Sequence, residues 1–104
     1  MIFLPRNLTE VLFWIGENEM RIEQLRYVVT VADCHSLTLA SEQLHISRQN
    51  ISKAIKQLEE ELNIKIFRRS NQGVFLTSKG QKFYCHASEV LDNVAAIEKE
   101  FSET

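Results

Sequence analysis

The 104-residue chain contains only 3 glycines, 1 proline and 2 cysteines. So little glycine and proline excludes a loop-built or low-complexity chain, and 44% hydrophobic residues suffice for the core of one small domain. Two cysteines cannot make the disulfide framework of a small secreted domain, so a reducing, cytoplasmic setting is expected. Each precedes a histidine, as Cys34-His35 and Cys85-His86, but the spacing matches no compact zinc motif, and neither metal nor cofactor is expected. Long apolar runs are missing too. Met1-Ile2-Phe3-Leu4-Pro5 and Val11-Leu12-Phe13-Trp14-Ile15 are interrupted by Pro5, Arg6 and Glu10, far short of the ~20 residues of a membrane span. No membrane partner is expected. His35, His45 and His86 have no neighbouring carboxylate or serine in a triad pattern, and no glycine-rich phosphate loop is present, so the chain does not read as an enzyme. A basic excess is also lacking. Lys and Arg number 12 against 14 Asp and Glu, a net charge of −2 with a pI near 5.9, and taken whole this argues against nucleic acid.

What is present is periodicity. Residues 1–19 form an amino-terminal extension: either a short helix capped by Thr9 and closed by Gly16, or a dispensable segment ahead of a start at Met20. From Glu23 to Asp33, Leu25, Val28, Val29 and Ala32 share one helical face. After Ser36, a good cap, Leu37, Ala40 and Leu44 point inward over two turns. His45-Ile46 makes a short break, with His45 a capping or surface residue, and Ser47 caps a third helix carrying Ile51, Ile55, Leu58 and Leu62. Two short helices about such a turn make a helix-turn-helix. Asn63 can end the third helix in the left-handed region. Ile64-Lys65-Ile66-Phe67 and Val74-Phe75-Leu76 then read as short strands about a turn from Arg68 to Gly73, a small wing. Tyr27, Phe67, Phe75 and Tyr84 fall on inward faces and read as core. Thr77 can cap a last helix in which Phe83, Ala87, Val90, Val94, Ile97 and Phe101 recur at spacings of 4, 3, 4, 3 and 4. That heptad stripe either folds back on its own domain or pairs with a second copy, and a homodimer is the expectation.

The charge is unevenly placed. Residues 45–82 hold eight basic side chains against Glu59, Glu60 and Glu61, a local +5, which leaves −7 on the remainder. With Ile51 directed inward, a turn of about 100° per residue places Gln49, Lys53 and Lys56 opposite it and Ser52 on the flank. A charged helix face is ordinarily just solvated. Here it follows a short turn, begins at a capped amino end and is joined by two wing arginines, which together point to double-stranded DNA.

The stretch from Met20 to about Tyr84 resembles the amino-terminal DNA-binding domain of LysR-type transcriptional regulators. The matching residues are Gln24-Leu25-Arg26-Tyr27, Ser36-Leu37-Thr38-Leu39-Ala40 and Leu44-His45-Ile46-Ser47, followed by the run from Ile51 to Leu62, Phe67-Arg68-Arg69, Leu76-Thr77 and Gly80. The resemblance implies a mainly α fold: a winged helix-turn-helix over 20–77, with three helices and a two-stranded wing, then a linker or dimerisation helix over 78–104. It departs from the family at Ser47-Arg48-Gln49-Asn50, where Ser-Gln-Pro or Ser-Gln-Ser is usual, and at Asn63, Ser41 and Gln72. Family members continue into an effector-binding domain, so no small-molecule effector site is expected in this chain.

On this reading Ser36 and Thr38 touch phosphate. Arg48, Gln49, Asn50 and Lys53 read base edges; Ser52 and Lys56 hold the backbone, Arg69 with Asn71 do so from the wing, and Ser47 is a further DNA-binding residue. Phe83, Ala87, Val90, Val94, Ile97 and Phe101 form the dimer seam. The alternative is a protein-interaction module that heterodimerises with a full-length regulator through the linker helix.

Overall fold

Three left-handed residues, none of them glycine, punctuate the fold. The computed structural model describes residues 6–9 and 20–102, so the expected helix closing at Gly16 runs outside the described residues. Helix α1 spans Ile22–Cys34; its amino end is closed by the buried Gln24, whose Oε1 accepts from the Arg21 amide at 2.9 Å. It stops at His35 (φ 54°). Helix α2, Leu37–Leu44, is capped by Ser36, whose Oγ accepts from the Leu39 amide at 3.1 Å, and stops at His45 (φ 57°). Helix α3, Arg48–Leu62, is capped by Ser47 through the Asn50 amide at 3.1 Å and stops at Asn63 (φ 55°). The Ser36, Ser47 and Asn63 expectations are met, and His45 is indeed a cap.

Strands β1 (Phe67–Ser70) and β2 (Gly73–Leu76) pair antiparallel, with Phe67 opposite Leu76 and Ser70 opposite Gly73. The first strand therefore starts three residues later than the sequence suggested. Ile64 to Ile66 are diverted from the ladder: the Ile66 amide donates to Glu59 Oε2 at 2.8 Å and its carbonyl accepts from the Thr77 amide at 3.0 Å. Arg68 and Arg69 are accordingly strand residues, and the turn is only Asn71-Gln72.

Helix α4, Ser78–Ser102, begins at Thr77, whose Oγ1 accepts from the Gly80 amide at 2.9 Å as expected. The same hydroxyl donates to the Lys65 carbonyl. Gly80 lies against that junction so closely that a Cβ would fall 2.0 Å from the Ile66 oxygen. Any side chain there would force α4 away from the domain.

The core joins Val28 and Val31 of α1, Leu37 and Ala40 of α2, Ile51, Ile55 and Leu58 of α3, Ile66 and Val74. Because α1 packs against α2, α3, β2 and α4, it buries more than one stripe. Val31 is therefore fully enclosed while Val29 is only half-buried. Leu62, expected inward, is 38% exposed in the last turn of α3, beyond the reach of the core. Tyr27 and Phe67 pack on the core as expected, whereas Phe75 and Tyr84 are half-buried beside it. Among the described residues no helix is long and apolar enough to cross a membrane.

Candidate nucleic-acid interface

Burying Ile51, Ile55 and Leu58 fixes the rotation of α3, so its opposite side must face water. Gln49, Lys53 and Lys56 are exposed on it, Arg48 and Asn50 are exposed at the amino end of the helix, and Ser52 is half-buried at its edge. The acidic run sits toward the carboxyl end of α3, where Glu59 borders the gap between the helix and the wing together with Lys56 and Lys65. Glu60 and Glu61 lie near the far end of the helix, and Glu59 is engaged by the Ile66 amide at 2.8 Å and the Phe67 amide at 3.3 Å. A carboxylate in the recognition segment is thus spent on the fold.

Two clefts flank this face. One, of about 400 Å³, is bordered by Ser36 and Thr38 from the start of α2, Arg48 from the start of α3, and Arg69 and Asn71 from the wing. Three separate elements bring these five expected phosphate and base contacts to one place. Their chemistry suits an anion: the positive ends of two helix dipoles, guanidinium groups and small hydroxyls. The hydroxyls of Ser36 and Ser47 accept cap bonds, which leaves their protons available for donation to a ligand.

The second cleft, about 460 Å³, lies between α3 and the wing, with Ser52, Lys56, Lys65 and Arg69 among its lining residues. Arg69 Nη2 donates to Ser52 Oγ at 3.3 Å, so the wing is joined to α3 through two residues already singled out. Arg68, one position along the strand, instead holds its guanidinium 5.4 Å from the centre of the Phe75 ring. Alternation along a strand separates the two arginines. Lys65, which now borders this cleft, was missed as a site residue; its positive charge beside a strand was the available signal. His35, also missed, borders the first cleft.

The heptad stripe of α4 is divided. Phe83 packs on the core and Ala87 is only 2% exposed within its own chain, whereas Ile97 is 59% and Phe101 73% exposed, with Val90 exposed and Val94 half-buried between them. The proximal pair thus serves the chain's own domain, and the unpartnered seam begins near Val90. A cross-helix bond joins α4 to α1: the Tyr84 hydroxyl donates to Asp33 Oδ1 at 2.6 Å. That bond raises the Tyr84 pKa above the usual phenol value, helped by partial desolvation. Cys34 and Cys85 are free thiols, and among the described residues no three His, Cys, Asp or Glu side chains gather as a metal set.

Three core helices and a two-stranded wing, with a cationic helix face at the wing cleft, define a winged helix-turn-helix domain followed by a long carboxyl-terminal helix. The family model for bacterial regulatory helix-turn-helix proteins of the lysR family matches residues 22–81, and the chain belongs to that family. The transcriptional regulator BudR of Klebsiella aerogenes is 43% identical over 81 residues, covering 77% of this chain and 57% of BudR. The regulator BenM of Acinetobacter baylyi is 39% identical over 75 residues, 72% of this chain and 25% of BenM. The matched region thus spans between a quarter and somewhat over half of these curated relatives. Among solved structures, BenM_DBD in complex with benA site 1 DNA superimposes with a TM-score of 0.74 at 35% identity, over 80% of this chain and 96% of that one. Full-length CbnR complexed with its target DNA gives 0.72 at 28% identity, over 78% and 28%. BenM_DBD and CbnR are thus seen in complex with DNA, and the interaction-module alternative is not favoured.

Proposed function

We propose that this chain binds double-stranded DNA sequence-specifically in the cytoplasm as a homodimer, with α3 in the major groove. The observation that carries the reading is the convergence of Ser36, Thr38, Arg48, Arg69 and Asn71 on one cleft beside the exposed face of α3. A major groove about 12 Å wide admits one helix, and α3 offers it side chains that suit base edges. Arg48, Gln49, Asn50 and Lys53 read bases. Ser47, Ser52 and Lys56 hold the flanking backbone, Ser36 and Thr38 hold a phosphate at the start of α2, and Arg69 with Asn71 track the backbone from the wing. The seam of Val90, half-buried Val94, Ile97 and Phe101 pairs two copies, so that two heads meet two half-sites.

Retention on duplex DNA as a function of salt tests the roles. Arg48→Ala should lose about 1 to 3 kcal/mol on its preferred sequence and relax choice at one position, whereas Lys56→Ala should weaken all sequences alike and reduce the salt slope by about one. Equal, sequence-independent losses from both variants would overturn the assignment of Arg48 as a reader.

A further inference from the structure

A two-stranded hairpin is marginal by itself, so the place of this wing must be imposed from outside it. At β2, besides the burial of Val74 in the core, His35 supplies such a hold. Its carbonyl accepts from the Val74 amide at 3.1 Å, and its Nδ1 lies 3.2 Å from the Val74 carbonyl. A carbonyl only accepts, so Nδ1 carries the proton, and one residue grips both polar groups of one strand position. The ring also packs on Phe75 with centroids 5.1 Å apart, and Phe75 carries the Arg68 guanidinium on its ring. His35 can do this because it stands in the left-handed conformation that ends α1, a state uncommon outside glycine though less so for histidine. Its chain neighbour, Ser36, caps α2 and borders the same cleft as Arg48, Arg69 and Asn71.

We propose that His35 is a positioning residue for DNA binding: by clamping Val74 it holds Arg69 and Asn71 of the wing across the cleft from Ser36, Thr38 and Arg48. The proposal rests on the DNA-binding reading above. His35 itself touches no DNA in this account. It determines whether the wing's contact is made in register with those of α2 and α3, as an unclamped hairpin would meet the backbone only part of the time.

The test is duplex-DNA retention against salt by the full chain, with folding of each variant checked by thermal unfolding. Absence of salt-dependent retention by the wild-type chain would overturn the DNA reading itself. Given wild-type binding, His35→Gly keeps the left-handed backbone and its carbonyl bond and removes only the ring. Its salt slope should fall by about one, matching Arg69→Ala, so that raising salt from about 50 to about 200 mM costs about fourfold less affinity than in wild type. Adding Arg69→Ala to His35→Gly should then change little, because the wing contact is already lost. His35→Asn, which tolerates the same backbone and supplies a shorter N–H donor, should recover part of the slope. A merely structural histidine would lower the unfolding temperature and leave the slope of the folded protein alone. A wild-type slope in folded His35→Gly, or full additivity with Arg69→Ala, would overturn the proposal. Should His35→Gly fail to fold, His35→Asn decides: an intermediate slope with a diminished Arg69→Ala effect supports the clamp, and a wild-type slope with the full effect overturns it.

Discussion

Gly73 stands at φ 134°, and a Cβ on it would lie 2.7 Å from the His35 carbonyl oxygen. Both facts forbid a side chain where β2 approaches the end of α1. Gly73→Ala should therefore destabilise the fold by about 1 to 3 kcal/mol, seen as a lower urea midpoint. An unchanged midpoint would mean that the approach relaxes at no cost. Tyr84 allows a second test at this scale. Its pKa is raised above 10.0, first by the hydrogen bond to Asp33. The shift is upward for an acid that is neutral when protonated. The bond's contribution is thus complete below about pH 10 and is lost as pH rises through the higher folded value. Ultraviolet titration of the chain should show one tyrosine ionising late, and Asp33→Asn should bring that midpoint down; coincident curves would remove the bond from the account.

At the scale of elements, α4 has two parts with different duties. Ala87 is packed inside its own chain, whereas Ile97 and Phe101 stand out in solvent. Ile97→Glu with Phe101→Glu should abolish self-association in sedimentation while leaving the unfolding temperature nearly unchanged, and Ala87→Glu should unfold the domain. A wild-type chain that sediments as a monomer at high concentration would contradict the seam. Much of this architecture was legible beforehand. Serine, threonine and asparagine announce helix ends by local chemistry, so Ser36, Ser47, Asn63 and Thr77 could be placed from neighbours alone. The misreadings arose where a distant partner decides. Ile64 to Ile66 look like a strand but are tied to Glu59 and Thr77, and Leu62 keeps the helical rhythm after the core has ended. The exposed face of α3 was legible because period 3.6 is local; its meeting with Arg69 and Asn71 depends on how the wing folds back. His35 went unseen because its grip on Val74 is made across 39 residues of sequence, whereas the cap at His45 follows from the short break between two helices.

For the molecule as a whole, the −2 total conceals a +5 segment set against a −7 remainder. The basic segment spans α3, the wing and the start of α4, so the polarity of the chain is the polarity of its proposed interface. Binding should accordingly weaken steeply with salt despite the acidic pI. The central claim is that α3 reads base sequence in the major groove, and selection from a random duplex pool tests it most directly. The account predicts that the wild-type chain enriches a motif with two symmetry-related half-sites. Arg48→Ala should lose preference at one position in each, worth about 1 to 3 kcal/mol, while Lys56→Ala keeps the motif at lower affinity. A pool left unenriched by the folded wild-type chain, or an Arg48→Ala motif identical to that of wild type, would contradict it.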